Sequence, residues 1–155
     1  MKFKNHPGIE INFLDDFFMS INKSFLDNLE YNVTGACIEV HKILGPGLLE
    51  SVYVRCLIRE LQLRDINYTA EQSILLSYKD VVLDTALRAD LYIENCLIIE
   101  LKSVERILPV HEAQILTYMK LLKAPKGLLI NFNCTNIIQY GKKAFVSEYM
   151  HNFNT

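Results

Sequence analysis

The segment Arg88-Ala89-Asp90-Leu91-Tyr92-Ile93-Glu94-Asn95-Cys96-Leu97-Ile98-Ile99-Glu100-Leu101-Lys102 constrains the fold more than any other part of the chain. The two-residue period of its apolar positions describes a β-hairpin and leaves two registers to weigh. A two-residue Glu94-Asn95 loop sets Ile93 against Cys96 and Asp90 against Ile99, which buries the Asp90 charge on one sheet face with Leu97, Ile99 and Leu101. A three-residue loop centred on Asn95 pairs Asp90 with Glu100 and gathers Ala89, Leu91, Ile93, Leu97, Ile99 and Leu101 on one wholly apolar face. Asparagine tolerates the left-handed backbone that such a loop often needs, so the second register is the one expected.

That register places Asp90, Glu100 and Lys102 together on the other face, the two carboxylates across the strand pair at ~5 Å between Cβ atoms and Lys102 two residues along. Like charges this close repel unless a cation or a shared proton compensates them. A hard divalent cation such as Mg²⁺ suits the pair, because it prefers carboxylate oxygen and retains water ligands that can become a nucleophile. Lys102 would then hold or activate that water, or stabilise charge developing on a phosphate. The competing reading is that Lys102 neutralises two acids on a solvated face. Tyr92 and Ile98 weigh against it, since they make this face apolar enough to require a cover.

Val33, Ala36, Cys37, Val40, Ile43 and Leu44 repeat with helical period, and Asp27 or Asn28 can cap a helix ending at about Leu44, where Gly45-Pro46-Gly47 breaks it. A second helix is expected from about Leu48 to Leu63, closing a helical hairpin. From Tyr68 the pattern turns to short β-type runs: Tyr68 to Gln72, Ile74 to Tyr78, Val81 to Leu83, Ala86 to Ile93 and Cys96 to Lys102. Pro109 opens a helix reaching about Leu122. Gly127 to Asn133 reads as a further strand, and the tail from Thr135 reads as a strand edge and a terminal helix. Residues 1–24 look like an appendage whose Phe13, Leu14, Phe17, Phe18 and Ile21 would pack on the domain or on a second subunit, and residues 25–155 read as one domain.

At 155 residues and 50% apolar content the chain can bury a core without staples. A net charge of -2 excludes affinity for nucleic acid through bulk charge, so any such contact must be local. The four cysteines show no C-x-x-C pair and read as reduced core thiols. No signal-peptide stretch and no run approaching ~20 apolar residues is present, which places the protein in the cytoplasm.

Several further residues have both a functional and an ordinary explanation. Gln114 and Tyr118, four apart on the Pro109 helix, would line the cleft over the hairpin, or form a partly exposed polar stripe with His111. Glu50 falls in a first helical turn, where the helix dipole alone explains a carboxylate. Tyr53, one turn on, is compatible with a core-edge aromatic. Arg88 would contact a phosphate or simply pair with an acid, and His41 would accept a proton, contact a phosphate or lie idle on the surface.

Gly47-Leu48-Leu49-Glu50-Ser51-Val52-Tyr53 resembles the signature of the small GxxExxY proteins, which are grouped with the PD-(D/E)XK nuclease superfamily. The preceding Ile38 to Pro46 is similar to that family as well, as are Arg88-Ala89-Asp90, Ile99-Glu100-Leu101-Lys102-Ser103, Leu108 to Gln114, Leu116-Thr117-Tyr118 and Gly127 to Phe132. The resemblance implies an α/β fold with a restriction-endonuclease-like core: a mixed central sheet containing the antiparallel hairpin, flanked by helices and preceded by the helical hairpin. It implies Mg²⁺ or Mn²⁺ held by Asp90 and Glu100, with Glu50 as an additional acid, and nucleic acid, DNA foremost, as substrate. Gln114 and Tyr118 resemble the Q-x-x-x-Y element of RecB-like exonucleases. Asp90 follows Ala89 rather than the proline of the literal motif. The alternative to a nuclease is a non-catalytic module that keeps the fold and binds nucleic acid or another protein.

Overall fold

Asn22 opens the first helix in a computed structural model that describes residues 21–153. Its side chain accepts the Phe25 N–H at 2.8 Å, so helix α1 (Lys23–Leu44) starts ahead of the expected Asp27 or Asn28. It ends where Gly45, at φ 65°, turns its N–H back to the His41 carbonyl. Helix α2 (Glu50–Leu63) begins two residues later than expected, because Leu48 and Leu49 belong to the turn. The chain continues through β1 (Tyr68–Ser73), β2 (Leu76–Tyr78), β3 (Val81–Leu83), β4 (Arg88–Ile93) and β5 (Leu97–Lys102). Helix α3 (Pro109–Leu122), β6 (Lys126–Asn131), a π-helical turn (Ile137–Gly141), β7 (Lys142–Val146) and a 3₁₀ turn (Glu148–Phe153) complete it. The Phe13–Phe18 segment lies outside the described residues.

Five strands form one sheet in the order β1-β4-β5-β6-β7, antiparallel throughout except for the parallel β5–β6 pair that α3 bridges. β2 and β3 pair only with each other, a separate hairpin with Val81, Val82 and Tyr78 exposed. On one face of the main sheet, Leu91, Ile93, Leu97, Ile99, Leu101, Leu128, Ile130 and Phe132 pack against α1 and α2 through Leu26, Val33, Cys37, Tyr53, Leu57 and Leu61. On the other, α3 lays Ile115, Tyr118 and Met119 over Tyr92, Ile98 and Leu129. This second layer covers the face whose apolar residues predicted a cover.

The three-residue loop is the one adopted. Ile93 faces Leu97, Tyr92 faces Ile98 and Leu91 faces Ile99, with Glu94 and Asn95 both at positive φ and the Cys96 N–H closing on the Ile93 carbonyl. One expectation fails: Ala89 joins the α3-side cluster and not the face of Leu91 and Ile93. Beside it the β1–β4 ladder lacks its Glu71–Asp90 rung and Glu71 takes φ 50°, while the register is the same on either side, Ala70↔Leu91 and Gln72↔Ala89.

A polar pin ties α1 to the sheet. Lys126, buried at the start of β6, pairs with Glu30 and with Asp27 (3.2 Å), and Lys142 of β7 reaches Glu30 at 2.7 Å. Burying a lysine is tolerable only with such partners.

Candidate active site

Past Leu91↔Ile99, side chains take over the rungs between β4 and β5. The Asp90 N–H donates to Glu100 Oε1 at 3.0 Å, and the Leu101 N–H donates to Asp90 Oδ2 at 2.8 Å. The two carboxyl groups therefore face each other at a gap in the ladder, Glu100 buried and Asp90 half-buried. Burial first, and then the charge of Asp90, pushes the Glu100 carboxyl up to about 8. Asp90 is also raised, chiefly by burial, against the pull of the Leu101 N–H and Lys102.

Lys102, at the end of β5, completes the group. Its Nζ donates to Gln114 Oε1 at 3.2 Å, and Gln114 Nε2 donates to the Tyr118 hydroxyl at 3.0 Å. Gln114 and Tyr118 thus point from α3 onto the hairpin and are not an exposed stripe. Burial raises the Tyr118 hydroxyl, and the charges of Glu100 and Asp90 push it the same way. His111 does otherwise: its Nδ1 accepts the Leu108 N–H and caps α3.

Glu50 arrives from the opposite helical layer, around the carboxyl end of β5. Its carboxyl is raised mainly by burial, with Asp90 raising it further and Lys102 opposing. The turn before it is gripped at Leu48. The Tyr53 hydroxyl accepts the Leu48 N–H (3.2 Å) and donates to the Gly45 carbonyl (2.5 Å), while Ser103 Oγ donates to the Leu48 carbonyl (2.6 Å). Tyr53 is fully buried, its ring stacked on Phe132 at 4.4 Å. The Gly-x-x-Glu-x-x-Tyr spacing follows: the tyrosine, one turn after the glutamate, fixes the loop from which the glutamate emerges.

Asp90, Glu100, Lys102, Gln114, Tyr118 and Glu50 are thus brought together. Two other candidates have partners of their own. Arg88 is exposed and lies 3.8 Å from Glu71. His41 donates from Nε2 to the Cys134 carbonyl at 2.8 Å and packs near Phe132. Three residues that sequence reasoning passed over frame the site. Glu71 lies beside Asp90 and raises its carboxyl slightly. Ser103 holds Leu48. Asn131, buried and next to Lys102 in the parallel ladder, grips both backbone groups of Val104. The E-x-K-S run and the strand ending in Asn131 carried a signal for the last two, but only the β5–β6 pairing gives it meaning.

The donor set fits a hard divalent cation in its chemistry: carboxyl oxygens lie side by side and, once ionised, carry more negative charge than Lys102 alone offsets, so a cation would take the place of the retained proton. In its present arrangement it is not a closed cage. Among the described residues no three acidic, histidine or cysteine side chains converge on one point. Glu50 lies near enough to feel Asp90 and Lys102 without joining them in a ligand cluster.

A mixed sheet between helical layers, with acids and a lysine at the carboxyl end of its parallel pair, defines a restriction-endonuclease-like α/β domain. A family model described as the PD-(D/E)XK nuclease superfamily matches residues 27–143, and the chain belongs to that superfamily. Nucleic acid is the substrate class that membership suggests, and divalent metals such as Mg²⁺ are the superfamily's general cofactor. No curated protein and no solved structure matches the chain. No helix among the described residues is long and apolar enough to cross a membrane.

Proposed function

We propose that the protein is a Mg²⁺- or Mn²⁺-dependent nuclease of the GxxExxY group, acting on DNA in the cytoplasm through one domain that follows the N-terminal segment. The observation that carries this reading is the facing Asp90–Glu100 carboxyl pair beside Lys102, at a gap in the sheet. Asp90 and Glu100 would hold the cation, with Glu50 as a further acid. A divalent cation seated there supplies Lewis-acid polarisation of the scissile phosphate and a more acidic water. Lys102 positions the attacking water and offsets charge growing on the phosphate, and its Nζ is aimed by Gln114. Tyr118 holds Gln114 in turn and presents its hydroxyl to the substrate backbone.

The test compares wild type with Asp90→Ala and Lys102→Ala on single- and double-stranded DNA with Mg²⁺, Mn²⁺ or EDTA. Each substitution is expected to lower kcat by about 10²–10³, and EDTA to abolish cleavage. Activity that survives both substitutions would sink the mechanism. The open arrangement of the acids favours a second reading, a non-catalytic module of the same fold. Nucleic-acid binding without cleavage under any divalent cation would establish it.

A further inference from the structure

Beyond the carboxyl ends of β5 and β6 lies a cavity of about 320 Å³ to which the site described above contributes only Asn131. Its lining includes Asn131, Asn133 and Thr135 at and after the end of β6, Glu105 and Arg106 of the β5–α3 loop, and Tyr140 of the π-helical turn. Asn131 is the ladder neighbour of Lys102, which sets one lining residue of the cavity a strand spacing, ~5 Å, from the lysine's backbone. Its base is built firmly: Asn131 and Asn133 both donate from Nδ2 to the Val104 carbonyl, and Asn131 Oδ1 accepts the Val104 and Asn133 N–H groups. The π-helical turn leaves Tyr140 71% exposed. Arg106 is exposed and forms no ion pair among the described residues.

We propose that this cavity seats a nucleotide of a single strand next to the cleaved bond, its base stacked on Tyr140 and its phosphate held by Arg106. The inference rests on the nuclease reading above. A volume at the low end of the ~300–1,000 Å³ range of small-ligand sites suits one nucleotide unit. An exposed aromatic ring engages a base only when that base is unstacked, which selects a single strand over a duplex. With a net charge of -2 the chain lacks the bulk attraction that a duplex groove exploits, so stacking supplies what charge does not.

The experiment measures binding of a fluorescent oligothymidylate and of a matched duplex to the full chain in EDTA, for wild type, Arg106→Ala, Tyr140→Ala and Tyr140→Phe. Both sites are exposed, and unchanged Tm values check that the variants fold. Tyr140→Ala should weaken oligothymidylate binding by about 5- to 150-fold, the range of one lost stacking contact, and Tyr140→Phe should restore it. Arg106→Ala should weaken binding and reduce the salt slope by about 1. In cleavage assays these losses should appear in KM more than in kcat. Oligothymidylate binding within twofold of wild type for both alanine variants overturns the inference while leaving the nuclease reading intact. A loss on duplex as large as on the single strand overturns the single-strand assignment. A wild-type protein that neither binds nor cuts any nucleic acid overturns both.

Discussion

Glu100 is 3% exposed, and its raised proton affinity makes stability depend on pH with a definite sign. Between the ordinary value of 4.5 and the folded value of about 8, the unfolded chain ionises this carboxyl while the folded chain retains the proton. The unfolded state then binds fewer protons, so metal-free stability falls as pH rises through that window. Urea unfolding at pH 5, 6.5 and 8 should show the decline in wild type and a flatter profile in Glu100→Gln. Parallel profiles for the two would mean that Glu100 titrates normally. Cation binding competes with that proton, so added Mn²⁺ should raise Tm more at pH 8 than at pH 6.

Between elements, the decisive join is the Gly45–Leu49 turn linking α1 to α2. Tyr53→Phe keeps the stack on Phe132 and removes the hydroxyl that serves Gly45 and Leu48. It should cost about 1–2 kcal/mol in stability. Because Leu48 precedes Glu50 by two residues, cleavage should fall as well. Unfolding and cleavage measured on one preparation check this, and a stability loss with full activity would show that the turn does not position Glu50. At this scale the hairpin was legible in sequence, because a period of two leaves few registers and only one kept Asp90 off the leucine face. Helix α3 was legible from Pro109 to Leu122. The start of α1 was not, since Asn22 lies ahead of the first run with clear helical period. Nor was the missing rung between Glu71 and Asp90, which depends on the backbone of Glu71 across the β1–β4 pair and not on the pattern of the hairpin itself. Spacing alone left Gln114 and Tyr118 open between a cleft lining and a surface stripe until the helix was laid over the hairpin, and the Tyr53 hydroxyl gained a role only once its turn had shape.

Across the whole molecule, three layers are held in register by apolar packing on both sheet faces and by the Lys126 pin. Glu30→Ala leaves the buried Lys126 ammonium with only the exposed Asp27 and should cost about 3 kcal/mol. Adding Lys126→Met removes the stranded charge and should recover much of that loss in Tm. No recovery would show that Glu30 acts mainly through Lys142.

The side-chain rungs at Asp90 and Glu100 carry a consequence of their own. Each carboxyl lends one oxygen to a backbone amide, Glu100 Oε1 to Asp90 and Asp90 Oδ2 to Leu101, and among the described residues no backbone N–H occupies its second oxygen. A cation can therefore be gripped without unmaking the sheet's substitute rungs, and its arrival should leave those two amides protected from hydrogen exchange.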